Sequence, residues 1–187
     1  MLKKQEIMIL LSGGIDSAAC VKHYLDFGRP PCGLFINYGQ PAASNEIKAA
    51  KAIAKHYSIP IKCLTWQSWS TKKIGLINGR NLFLLSVALM EKPNYVSIIV
   101  MGIHAGTNYP DCSETFWTQM QTVFDIYNKG SVQLAAPFLT WSKKDIYAYC
   151  KLKKIPIEMT YSCEYGGIPP CGKCLSCMDR EMLNDRT

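Results

Sequence analysis

Six residues near the start of the chain, Ser12-Gly13-Gly14-Ile15-Asp16-Ser17, bring together groups that hold phosphate. Adjacent glycines let backbone come close to an anion. Exposed N–H groups at the start of a helix then favour negative charge. Ser12 and Ser17 add hydroxyl donors, and Asp16 either caps the helix or helps to hold Mg²⁺. No Gly-Lys-Ser/Thr follows, so this is not a Walker A loop, and the glycine spacing is not that of a dinucleotide fingerprint. A second chemical cluster lies near the other end, where Cys163, Cys171, Cys174 and Cys177 fall within fifteen residues. Four soft thiolates at this spacing predict a metal site, either Zn²⁺ or its chief rival, an Fe–S cluster. Gly166, Gly167, Pro169, Pro170 and Gly172 supply the tight turns. A closed four-thiolate site would be structural and would contribute folding energy.

Four further positions are candidates on their own chemistry. Tyr38-Gly39-Gln40 follows an apolar run and would sit at a strand's carboxyl end, where α/β sheets bind ligands. Arg80 opens an apolar helix, where the macrodipole disfavours a cation, so it reads as the partner of a phosphate or carboxylate or as a solvated surface arginine. Asp111, in a Pro-containing loop, reads as a base-edge acceptor, a metal ligand or a turn residue. Lys143 reads as a neutraliser of phosphate charge or as a solvated first-turn lysine. His23 and His56 fall on helices, and His104 lies in the loop facing the site with no role assigned.

The elements that must position these residues alternate in type. Strands are expected over 6–11, 32–38, 61–66, 96–103 and 132–136. Helices are expected over 16–27, 44–57, 80–91, 113–127 and from 142 towards Pro156, the last opened by a Ser142/Asp145 capping box. A polar stretch covers 67–79, and a Gly/Pro/Asn-rich loop covers 104–112. Such alternation predicts a Rossmann-like α/β fold, a five-stranded parallel sheet with helices on both faces.

Composition narrows the function classes. With 187 residues the chain fits one domain. Hydrophobic residues make up 48% and charged residues 19%, which excludes a disordered or low-complexity chain. The longest apolar run, 95–103, is too short to span a membrane, and the N-terminal apolar run lacks a cleavage site, so a cytoplasmic location is expected. Nine cysteines, an odd number with four clustered, fit a reducing compartment with one metal site and scattered buried thiols. The net charge of +7 suits phosphate or acidic substrates, or RNA.

Between a strand and a helix, SGGIDS resembles the pyrophosphate loop of the adenine-nucleotide α-hydrolases, the PP-loop superfamily. Taken in order with Tyr38-Gly39-Gln40, Gly79-Arg80-Asn81, Tyr109-Pro110-Asp111-Cys112, Ser142-Lys143-Lys144-Asp145, Thr160-Tyr161-Ser162-Cys163 and the cysteine cluster, it makes the chain similar to the 7-cyano-7-deazaguanine synthase family, QueC. The resemblance runs from residue 7 to about 181. It implies a single PP-loop ATPase domain over 1–187, with 157–181 a Cys-rich metal-binding tail packed on it. It implies AMP-forming activation of the carboxylate of 7-carboxy-7-deazaguanine and addition of ammonia to give the nitrile. Ser12, Gly13, Gly14, Asp16 and Ser17 would cradle ATP with Mg²⁺. Arg80 and Lys143 would offset charge. Tyr38, Gln40, Asn81 and Asp111 would face the deazaguanine, and the four cysteines would hold structural zinc. A homodimer is implied, with no membrane and no nucleic acid.

Departures keep other readings open. The segment 67–78 is short for the family, Asn78 stands where Pro is usual, and Ser113 stands where a basic residue is usual. No glutaminase domain or N-terminal cysteine is seen, so free ammonia or an amine delivered by a partner is expected. Shortened QueC-like proteins of anti-phage operons, some of which attach a deazapurine to a protein amine, are one alternative. A tRNA-modifying PP-loop enzyme is another, and a nucleotide sensor without turnover is a third.

Overall fold

The computed structural model describes residues 6–67, 74–104 and 109–184. Expectations for the remainder of the 67–79 and 104–112 segments lie outside the described residues. Five strands form one sheet in the order β3-β2-β1-β4-β5: β1 (Ile7–Leu10), β2 (Cys32–Asn37), β3 (Ile61–Thr65), β4 (Ile98–Met101) and β5 (Gln133–Ala135). Every neighbouring pair is parallel, with Met8 opposite both Cys32 and Ile99. The helices are α1 (Ile15–Asp26), α2 (Ala43–His56), α3 (Arg80–Glu91), α4 (Glu114–Asn128), α5 (Lys143–Leu152) and α6 (Leu175–Asn184).

Strand side chains alternate between faces, and here both faces are buried. Ile7, Ile9 and Leu11 join Phe35 and Val100 under a layer that includes Ala18, Val21, Ala50, Ile53 and Ile146, from α1, α2 and α5. Met8 and Leu10 join Leu34, Ile36 and Ile99 against Leu85, Ala88, Met120 and Phe124, from α3 and α4. Each fully buried Ile, Leu or Phe contributes roughly 1.5–3 kcal/mol. β1 is therefore the central strand, and loops leaving its carboxyl end are anchored by core on both faces. The small residues Ala18, Ala19, Ala50 and Ala54 let α1 and α2 sit close to the sheet.

Three expectations are adjusted. The fourth strand is shorter, because Gly102 leaves the sheet to pack on α1; a Cβ there would lie 2.8 Å from the Asp16 carbonyl carbon. The helix opened by Ser142 shows both bonds of its capping box but closes at Leu152, before Pro156, as Lys154 turns left-handed at φ 52°. The Cys-rich tail carries a helix, α6, that the cysteine spacing concealed. Among the described residues no helix is long and apolar enough to cross a membrane.

Candidate active site and metal centre

The strand order reverses between β1 and β4, and ligands of open α/β sheets bind outside the carboxyl ends at such a point. A cavity of about 340 Å³ opens there. Ser12, Gly14, Asp16, Ser17, His104 and Lys143 line it from the β1–β4 side. Tyr38, Gln40, Glu46, Arg80 and Asn81 line it from the β2 side. Of the candidates outside the cysteine cluster, only Gly13 and Asp111 do not line it.

In the loop after β1 the two glycines do different work. Gly13 has φ +86°, and a Cβ would lie 2.5 Å from the Glu46 carbonyl oxygen and 2.9 Å from the Ala50 nitrogen. Its missing side chain therefore lets α2 close on the loop. Gly14 is the N-cap of α1 with an ordinary φ of −82°. A Cβ there meets nothing closer than Ser12 Oγ at 3.5 Å. The space above it belongs to the cavity, which fits an anion drawn onto the helix N-terminus. Ser12 Oγ accepts the Gly14 N–H at 3.3 Å and donates to Ser17 Oγ at 3.2 Å, while Ser17 Oγ donates to the Gly14 carbonyl at 2.9 Å.

Lys143, 127 residues away at the start of α5, donates to both Asp16 carboxylate oxygens at 2.7 Å. The pair is partly exposed on the cavity wall, so either partner can be drawn onto a ligand. His104 closes this side. Burial lowers its pKa and Lys143 adds to this, while Asp16 and Asp179 oppose it.

On the β2 side two candidates act through neighbours. Gln40 Oε1 accepts the Tyr38 N–H at 2.9 Å, and Gln40 Nε2 donates to Glu46 Oε2 at 2.7 Å and to the Ile36 carbonyl at 3.4 Å. Asp111 is buried, with Oδ2 accepting the Asn81 N–H at 3.2 Å; its carbonyl accepts Asn81 Nδ2 at 2.9 Å. It thus caps α3, whose own N-cap, Gly79, has no side chain to do so. Among the described residues its Oδ1 has no hydrogen-bond partner. Asp111 therefore stands behind the wall, where it sets the position of Arg80 and Asn81. Arg80 Nε donates to Asn81 Oδ1 at 3.3 Å. Burial raises the Tyr38 and Glu46 pKa values, and the nearby Arg80 charge opposes it.

Sequence reasoning missed Glu46, Glu164 and Asp179. An acid in a helix's first turn, as Glu46 is in α2, ordinarily reads as dipole compensation. Glu164 and Asp179 reach the cavity only because the tail folds back.

That return runs through the cysteines. The Sγ atoms of Cys163, Cys171, Cys174 and Cys177 lie within 4.8 Å of one another. Thiolates on one tetrahedral ion at ~2.3 Å stand about 3.8 Å apart, so the set fits a single ion with slight contraction. Burial raises the Cys163 thiol, but N–H donors from Cys171, Gly167 and Tyr165 outweigh it and bring it to about 6. The knuckle is tied to the site at several points. The Tyr161 N–H donates to the Gly13 carbonyl at 2.9 Å, and Asn45 Nδ2 donates to the Gly166 carbonyl at 2.9 Å. Arg180 of α6 clamps the Thr160 and Ile157 carbonyls at 3.0 and 2.9 Å. Of the other cysteines, Cys20, Cys32, Cys112 and Cys150 are buried, while Cys63 is half-buried.

These features are those of a PP-loop fold, and solved structures agree. The NMN synthetase of Francisella tularensis superposes with a TM-score of 0.53 at 18% identity, over 84% of this chain and 65% of that one. The NH3-dependent NAD synthetase of Campylobacter jejuni gives 0.51 at 17%, over 98% of this chain and 79% of that one. The family model described as queuosine biosynthesis protein QueC matches residues 6–75 and 68–184. The 7-cyano-7-deazaguanine synthase of Synechococcus sp. (strain CC9605) is 31% identical over 210 positions, covering 96% of this chain and 92% of its own. That of Aquifex aeolicus (strain VF5) is 32% identical over 212 positions, covering 97% of each. The chain belongs to the QueC family. The two matched stretches meet at residues 68–75, between β3 and α3, and the alignments are longer than the 187-residue chain. The relatives therefore carry residues that this chain lacks.

Proposed function

We propose that the chain is an ATP-dependent, AMP-forming ligase that converts 7-carboxy-7-deazaguanine to 7-cyano-7-deazaguanine with ammonia. The observation that carries this reading is the open space over Gly14 beside the Lys143–Asp16 pair, at the switch point of a QueC-family sheet. ATP would lie with its phosphates on the Ser12–Ser17 loop and the α1 N-terminus. Asp16 would hold Mg²⁺, which when bound neutralises charge on the phosphates. Lys143 would then leave Asp16 for the phosphate oxygens.

A carboxylate at neutral pH is a poor electrophile. Its oxygen attacks the α-phosphorus, the bond to the β-phosphate oxygen breaks, and pyrophosphate leaves. The acyl adenylate accepts ammonia and releases AMP to give the amide. The amide oxygen attacks a second ATP in the same way, and loss of AMP and protons leaves the nitrile. The protein's share is orientation and charge neutralisation, by Lys143 on one side and Arg80 on the other.

The four cysteines would hold zinc as a structural ion, residues 157–181 forming a metal-bound tail on one PP-loop domain. A cytoplasmic homodimer completes the reading, and light scattering reads the assembly. Mass spectrometry of a reaction with ATP, Mg²⁺, 7-carboxy-7-deazaguanine and ammonium tests the function. Nitrile with AMP supports it. AMP with the deazaguanine mass attached to a protein, and no nitrile, replaces ammonia by a protein amine. No AMP contradicts the proposal.

A further inference from the structure

We propose that Glu46 recognises the deazaguanine base through the paired N–H donors of its guanine-like edge, and that Gln40 is the positioning residue for Glu46. This rests on the deazaguanine substrate proposed above. Gln40 has no N–H left for a ligand: both amide hydrogens are taken, by Glu46 Oε2 and by the Ile36 carbonyl, and its oxygen holds the Tyr38 N–H. What Gln40 presents to the cavity is therefore the Glu46 carboxylate.

Among the described residues, Gln40 is the one hydrogen-bond partner shown for that carboxylate. An ionised carboxylate accepts about four hydrogen bonds, so most of this capacity faces the cavity unused. Burial raises the Glu46 pKa, and the Gln40 bond and the Arg80 charge oppose it. A half-desolvated carboxylate in a cleft is well placed to bind donors.

A 7-deazaguanine ring offers N1–H and a 2-amino N–H side by side, matched to two carboxylate oxygens. Adenine offers an acceptor at N1, which a carboxylate repels. The same group would therefore admit the acceptor base and exclude ATP's own base from its place. Arg80, which lines the same wall, would face the 7-carboxylate.

The test compares 7-carboxy-7-deazaguanine with its analogue lacking the 2-amino group, in the wild-type chain and in Glu46→Gln. The wild type should prefer the amino compound by about 10- to 100-fold in kcat/KM, the range of a charge-assisted hydrogen bond. Glu46→Gln should reduce that preference to about 3-fold or less, with the KM for ATP unchanged. Gln40→Met should raise the KM for the deazaguanine more than it lowers kcat. Equal use of both compounds by the wild type overturns the assignment, and so does an undiminished preference in Glu46→Gln. A general loss that includes ATP binding points to a structural role and also overturns it. If Glu46→Gln fails to fold, Gln40→Met decides: it should diminish the preference for the amino compound, and an undiminished preference overturns the assignment. If the wild type uses neither compound, the substrate reading itself fails and takes the Glu46 assignment with it, a result distinct from turnover without discrimination.

Discussion

On the β1–β4 side of the cavity, residues of the 12–17 loop make much of the wall, and the distant His104 and Lys143 add to it. On the β2 side the wall comes from residues near 40, 80 and 164, and two of the groups that shape it, Gln40 and Asp111, act through others. A phosphate needs backbone N–H groups and a helix end, which one short segment provides. A heterocycle edge needs side chains at set angles, and those are held by relays of hydrogen bonds. The first kind of site is robust to distance in the chain, while the second depends on how well the second row of residues is placed.

Removal of the metal should have the largest effect, because it reaches the phosphate side through Tyr161. Chelation or Cys171→Ser should lower the melting temperature and expose the tail to protease, since a structural four-thiolate site supplies folding energy. ATP affinity should fall with it as the Tyr161 N–H leaves the Gly13 carbonyl. The two glycines then separate folding from binding. Gly13→Ala should destabilise by about 3 kcal/mol or more, from a left-handed φ and a clash with α2 backbone. Gly14→Ala should change stability by less than ~1 kcal/mol but weaken ATP binding at least about 10-fold, because the new methyl occupies cavity space alone. Calorimetry with thermal melts reads both. Lys143→Ala should lower kcat/KM by about 10²–10³ in AMP formation, the range for loss of a group that stabilises developing charge. Asp111→Ala should cost about 1 kcal/mol of stability through the lost α3 cap and raise the KM for the carboxylate about 10-fold.

Glu46→Gln should have the smallest effect on stability, and with the opposite sign. A folded-state pKa raised by burial means that the charged form is disfavoured on folding. That penalty is present at neutral pH and disappears below the unfolded pKa. The variant should therefore melt no lower than the wild type at pH 7, and any gain should vanish as the pH falls into the acid range. A residue kept for structure would melt lower.

The fold was legible because alternating strand and helix periods lie in local sequence, and all five strands fall where the apolar runs place them. So was the loop at Ser12–Ser17, since its residues are contiguous. The cysteines were legible as a set, but helix α6 behind them was not, because metal-ligand spacing and helical spacing overlap at Cys174 and Cys177. Lys143 was visible as a candidate, whereas its bidentate contact with Asp16 spans 127 residues and has no local signature. Glu46 read as an ordinary helix-start acid. Only its burial and its bond to Gln40 mark it as a site residue.

In the function proposed above, the Ser12–Ser17 side activates a carboxylate held by the β2 side. Isotope exchange between pyrophosphate and ATP tests this most directly, since it reads the adenylation step alone. Exchange should require 7-carboxy-7-deazaguanine, be lost in Lys143→Ala and proceed without ammonia. No exchange with that compound, or exchange at the same rate without it, would rule out carboxylate adenylation at this site.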